Sequence, residues 1–185
     1  MKKVCLLAML VCAARGQAVF ELDASESHAA FTLPDVLHTV HGSFKVKRGS
    51  IQFDPSTGSA LGEIVVDATS GDSGSGARDK RMHQNILESQ KFPEITFVPS
   101  HLRGTVNASG ESKVEIDGRF TIHGASHPLT ASAVVHVSGE RLEAKVRFVV
   151  PYVSWGMKNP STLFLRCGES VDIDVEAAAH ITWPS

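Results

Sequence analysis

Residues 113–122 read Lys113-Val114-Glu115-Ile116-Asp117-Gly118-Arg119-Phe120-Thr121-Ile122, with apolar or small residues alternating one for one with charged or polar ones. Side chains of a β-strand alternate between two faces, so this stretch is a strand with one dry face and one wet face. The rhythm recurs downstream. Leu142, Ala144, Val146, Phe148 and Val150 alternate with Arg141, Glu143, Lys145, Arg147 and Val149, and Val171, Ile173, Val175, Ala177 and Ala179 alternate with Asp172, Asp174 and Glu176. A sheet built from many such strands must hide a whole face. With no long amphipathic helix to cover it, the sheet curls on itself as a barrel or a sandwich.

Working outward, strands are expected over 20–33, bent near 25–27, then over 40–47 and, after a turn at Arg48-Gly49, over 50–54. Others follow over 62–68, 94–102, 129–138 and 170–182, and Ser138-Gly139-Glu140 reads as a tight hairpin turn. Residues 70–76 are too rich in Gly and Ser for regular structure, and 156–168 form a long irregular segment. Only 77–90 break the β rhythm: Met82, Ile86 and Leu87 sit at helical spacing, which predicts one short helix over a barrel end, as a lid or as a plain connector. The expected fold is all-β: a single antiparallel domain of about eight strands, closed as a barrel or packed as a sandwich. Small residues on the dry face, among them Gly42, Gly118, Ala131, Ala133, Ala144, Ala177 and Ala179, favour a cavity over a fully packed interior.

Lys2 and Lys3, an apolar run over 4–14 and small residues at Gly16-Gln17-Ala18 read as a cleaved export signal occupying 1–18, with one domain over 19–185. Val11 stands where a small residue would precede a lipidated Cys12, which argues against a lipid anchor. Cleavage removes Cys5 and Cys12 and leaves Cys167, so the mature chain forms no internal disulfide. No segment is long and apolar enough for a membrane-spanning helix. The net charge of -2, evenly scattered, provides no basic stripe for nucleic acid and no polybasic patch for a membrane surface.

Several stretches together resemble the opening and centre of the YceI-like family: Phe31-Thr32-Leu33, Leu37-His38-Thr39-Val40-His41-Gly42-Ser43-Phe44, Gly49-Ser50-Ile51-Gln52-Phe53-Asp54, Ala77-Arg78-Asp79, Lys91-Phe92-Pro93-Glu94-Ile95-Thr96-Phe97 and Gly118-Arg119-Phe120-Thr121-Ile122-His123-Gly124. The resemblance decides for the barrel: it implies an all-β fold, a single antiparallel eight-stranded lipocalin-like barrel, exported to the periplasm, with an apolar tunnel that holds an isoprenoid or another amphipathic lipid. This chain departs from the family in its central loop, where Arg78-Asp79 leads into Lys80-Arg81-Met82-His83-Gln84 rather than a His-Leu-Arg-Ser run.

The candidate site follows. A chain buried in a dry barrel gains roughly 0.8 kcal/mol per CH₂, against an association cost of about 4–15 kcal/mol, so a single five-carbon unit does not suffice and the expected partner is a long isoprenoid or fatty-acyl lipid. Phe31, Phe44, Phe97, Phe120 and Phe148 are expected to point inward as tunnel wall or core. Arg78, Lys80, Arg81 and His83 cluster in the helical segment and are candidates for meeting a phosphate or carboxylate headgroup. Tyr152 and Trp155 rim the mouth, dock at a membrane or plug a barrel end, and His41 hydrogen-bonds loop backbone or lines the entrance. No cofactor is expected. His38, His41, His123 and His127 could form a metal site or serve a stress-related enzyme if they met in space, yet HExxH and CxxC are absent. Ser126 beside His127 lacks the G-x-S-x-G elbow of a hydrolase, so the expectation is a binding protein without chemistry of its own. A barrel packed solid as an interaction module and pairing of two copies as a homodimer remain open.

Overall fold

The computed structural model describes residues 16–34, 39–161 and 166–184. Residues 1–15 of the export signal expected over 1–18, and His38, lie outside the described residues.

Eight antiparallel strands run in chain order around one closed ring: β1 (Ala18–Leu33), β2 (Val40–Phe53), β3 (Ala60–Asp67), β4 (Glu94–Arg103), β5 (Gly110–Ile122), β6 (Ala125–Ser138), β7 (Arg141–Val150) and β8 (Val171–Thr182). β8 pairs back onto β1, so among the described residues every strand has a paired neighbour on both sides, although β6 and β7 pair only over Ser132–Ser138 and Arg141–Arg147. Ala18, the last residue of the expected signal, is fully buried and pairs with Phe53. Alternation sets the faces. Val114, Phe120, Leu142, Ala144 and Ile181 are buried, while Lys113, Glu115, Arg119 and Glu143 face solvent. On the outer face, Arg147 bonds the Asp174 carboxylate and Lys145 lies 3.5 Å from Glu176, each pair directly opposite across β7 and β8. Exposed pairs of this kind contribute roughly 0–1 kcal/mol each. The dry interior, not the charged exterior, holds the barrel together.

Turn chemistry fixes the hairpins. His123 and Gly124 both have positive φ, at 53° and 74°, between the closing pair Ile122 and Ala125, the backbone of a type I′ two-residue turn. Gly139, with φ 61°, opens the Gly139-Glu140 turn between Ser138 and Arg141. The expected bend near 25–27 is present as an irregularity in register between Asp23 and His28. The expected turn at Arg48-Gly49 is not: β2 runs unbroken, and Val46 pairs with Val66 while Arg48 pairs with Val65. Lys47 is thus an extra residue, and Arg-Gly marks a β-bulge rather than a chain reversal.

The expected helix over 77–90 is shorter than its spacing implies. A short α-helix, α1 (Gly76–Arg81), passes into a π-helical turn over Met82–Ile86. Before it, Asp67 accepts bonds from the Thr69 amide at 2.9 Å and hydroxyl at 2.6 Å, which starts a 3₁₀ turn over Ala68–Ser70. Ser43 and Asp72 then exchange backbone bonds at 2.9 and 3.0 Å, tying the segment to β2. From Ala68 to Pro93 the chain forms a lid across one barrel end, anchored at both sides: the Lys45 amide donates to Ser70 Oγ at 2.8 Å, and the Ala68 amide donates to the Pro93 carbonyl at 3.0 Å.

Candidate functional site

The barrel is hollow. Two cavities lie in line along its interior, one of about 290 Å³ beneath the lid and one of about 150 Å³ toward the far end. Together they reach the range of about 300–1,000 Å³ typical of small-molecule sites. Val66, Ile95, Phe120, Phe148 and Val175 line both, one residue from each of β3, β4, β5, β7 and β8. These five form a waist where the Phe120 and Phe148 rings meet edge to face at 5.5 Å between centroids. The far end is shut by Phe53 against Trp183, T-shaped at 6.2 Å.

Small inward residues play two different parts. A Cβ on Gly118 would fall 2.7 Å from the Phe97 ring and 2.5 Å from the Val98 carbonyl, and one on Gly42 would fall 2.3 Å from the Phe31 ring. These glycines are seats for phenylalanine rings. Hollow space comes instead from Ala131, Ala133, Ala144 and Ala177, all of which line the far chamber.

Polarity is segregated along the tunnel. Apart from Thr96, the far chamber is lined by apolar side chains. The lid-end chamber adds Ser73, Arg78 and Arg81 at its rim, with Met82, Ile86 and Leu87 turned down into it from the lid. Arg78 donates from Nε to Ser73 Oγ at 3.2 Å and from Nη2 to the Ser73 carbonyl at 2.9 Å. Asp79 accepts from the Ser73 amide at 2.8 Å and hydroxyl at 2.7 Å, and the Ser73 hydroxyl bond is the main cause that holds its carboxyl below the ordinary value of 3.8. Ser73 is thus gripped from both sides of α1, which fixes the rim. The Arg81 side chain is exposed and makes no hydrogen bond or ion pair among the described residues.

All five phenylalanines of the candidate set line the tunnel: Phe31 and Phe44 the lid-end chamber, Phe97 the far chamber, Phe120 and Phe148 both. Arg78 and Arg81 stand at the rim and Tyr152 closes part of the lid-end wall. Four candidates stand elsewhere. His83 turns back into the lid, with Nε2 2.9 Å from the Gly71 carbonyl and Nδ1 2.9 Å from Ser89 Oγ. Because a carbonyl only accepts, Nε2 donates to Gly71, and Nδ1 shares the other hydrogen bond with the Ser89 hydroxyl. Lys80 is exposed and lines neither chamber. His41 pairs with Thr32 Oγ1 at 3.1 Å on the exposed face of β1 and β2. Trp155 stacks on His127, 4.1 Å between centroids and within 1° of parallel, outside both chambers. Sequence reasoning omitted Met82, Ile86 and Leu87 from the site, although their common spacing marks one lid face.

The histidines do not converge. His41 lies on the outer face of β2, His123 packs on Phe92 at 4.9 Å and faces Glu88 at 3.6 Å, and His127 is under Trp155. Among the described residues no three His, Cys, Asp or Glu side chains are grouped to hold a metal ion.

Comparison with known proteins agrees with this architecture. Residues 20–179 match the sequence model of the YceI-like domain. UPF0312 proteins are similar in sequence: one from Pseudomonas putida is 26% identical over 169 residues, covering 86% of this chain and 80% of its own length, and one from Vibrio parahaemolyticus is 29% identical over 122 residues, covering 63% and 62%. Solved structures share the barrel. BcnA of Burkholderia cenocepacia superposes with a TM-score of 0.70 at 17% identity, over 85% of this chain and 99% of that one. A polyisoprenoid-binding domain from Saccharophagus degradans gives 0.68 at 16% identity, over 88% and 98%. A match that spans nearly all of the barrel, joined to the same closed eight-stranded topology, places this chain in the YceI-like family.

Proposed function

We propose that this protein binds a long-chain amphiphile, an isoprenoid or a fatty-acyl lipid, with its tail in the tunnel and an anionic headgroup at Arg78 and Arg81, and carries it in the periplasm after export without altering it. The observation that carries this reading is the segregation of polarity inside the barrel: among the described residues, the charged side chains that line the tunnel are two arginines, both at the lid end. Such a site suits a molecule that is apolar along its length and charged at one tip. An apolar tail gains roughly 0.8 kcal/mol per buried CH₂, while the guanidinium groups offer charge-assisted hydrogen bonds of about 1.5–3 kcal/mol each to a carboxylate or phosphate. The polyisoprenoid-binding domain of Saccharophagus degradans, with the same fold, supports the class of ligand.

The test is calorimetric titration with palmitate and with its uncharged methyl ester. Palmitate is expected to bind the wild type at least tenfold more tightly than an Arg78→Ala/Arg81→Ala variant, with the ester binding both alike. Equal palmitate affinity in the two proteins would remove the headgroup assignment. Failure of both ligands to bind the wild type would remove the carrier reading.

A further inference from the structure

The tunnel is interrupted at a defined depth, and the interruption is aromatic. Phe120 on β5 and Phe148 on β7 meet across the lumen at 5.5 Å and separate the two chambers. Behind them the stack continues outward: Trp155 lies 6.0 Å from Phe120, tilted 41°, and in turn stacks on His127. The support behind the waist is a side chain rather than a strand. β6 and β7 pair only from Ser132 to Ser138 against Arg141 to Arg147, although β6 begins at Ala125 and β7 continues to Val150. In that unpaired stretch His127 is paired with Phe120 across β5 and β6 and so shares its face of the sheet. The rings at the waist therefore have Trp155 as their neighbour, and a displaced Phe120 presses on it.

We infer that Phe120 and Phe148 are the residues that set the accepted chain length: a tail that fits above the waist binds without moving them, and a longer tail enters the far chamber only by parting the two rings, which displaces Trp155. This deepens the carrier reading and rests on it. Strand geometry sizes the two steps. From Val171 to Val175 on β8, along the lid-end chamber, four residues advance about 13 Å along the strand and, at a tilt of about 40°, about 10 Å along the axis. A carbon zigzag of roughly 1.5 Å bonds advances about 1.3 Å per carbon, so the lid-end chamber takes about eight carbons. From Leu142 to Phe148 on β7 the far chamber runs a further ~15 Å, but at about 150 Å³ against about 290 Å³ it is the narrower and takes roughly half as many carbons, about four.

The test uses saturated fatty acids of six to eighteen carbons, titrated by calorimetry and by fluorescence in a Trp183→Phe background, where Trp155 is the remaining tryptophan. In the wild-type waist, affinity is expected to rise about fourfold per methylene up to roughly eight to ten carbons and then to flatten, and Trp155 emission is expected to shift only beyond that break. Phe120→Ala is expected to let the steep rise continue to longer chains. Phe148→Leu, which keeps an apolar side chain in the wall, does the same more weakly and serves if the first variant fails to fold. A break at the same length in a folded variant, or emission that responds equally to all lengths, would overturn the inference while leaving lipid binding intact. If no fatty acid binds the wild type, the carrier reading falls and the inference with it.

Discussion

Tyr152 is the single tyrosine of the chain, buried in the lid-end wall with its hydroxyl donating to the Gly168 carbonyl at 2.6 Å. Burial, with smaller contributions from the charges of Cys167 and Glu169, pushes its pKa up from 10.0 to about 12. A raised folded pKa means that the neutral phenol stabilises the fold. That stability is whole below the unfolded value of 10.0 and is lost as pH rises through about 12. Absorbance titration at 295 nm should therefore show one transition near 12 in the native protein and near 10 in urea, and a native midpoint near 10 would contradict the burial. At this scale the phenylalanines were legible, because alternation alone fixes which way a strand side chain points. His83, His41 and Trp155 were not. A polar ring at a mouth can reach outward to a ligand or sideways to a carbonyl, and what decides is a partner distant in sequence, such as Gly71 for His83, 12 residues away.

Among the elements, the lid is where local sequence and final structure part company. The spacing of Met82, Ile86 and Leu87 reports one apolar face, and all three do line the chamber. Spacing does not report that α1 ends at Arg81 and that the following turn widens to the π form, which turns His83 the other way, into the lid. Since His83 joins Gly71 to the buried Ser89, His83→Ala leaves two polar groups without their partner. The expected cost is about 1–3 kcal/mol, read as a lower midpoint in urea and as faster amide exchange across residues 71–89. Unchanged exchange in that segment would mean that the lid is held by its ties to β2 and Pro93 alone. The hairpin at Ser138-Gly139-Glu140 was legible because glycine at positive φ marks tight turns, whereas β6 was expected only from Leu129 and begins at Ala125, directly after the His123-Gly124 turn. The bulge at Lys47 was not legible, since Arg-Gly in a polar run is equally good as a turn and only the register with β3 distinguishes the two.

For the whole molecule, the all-β class was the most legible feature: several two-faced strands and no covering helix leave a barrel or a sandwich as the way to bury one face, and the family resemblance, not alternation, chose the ring. Whether that ring is solid or hollow depends on volumes summed from every strand, which no local pattern encodes. Counting all small inward residues as empty space would overestimate the tunnel, because Gly42 and Gly118 are filled by rings from neighbouring strands. What survives is a two-chambered apolar tube with its charge at one mouth. The central claim is that this tube holds a lipid tail. Native mass spectrometry of the protein purified from its own host, followed by solvent extraction, tests it most directly. The expected result is a discrete mass above that of the polypeptide, which extracts as an isoprenoid or fatty-acyl amphiphile. A bare polypeptide mass that stays bare after incubation with a total lipid extract would contradict it.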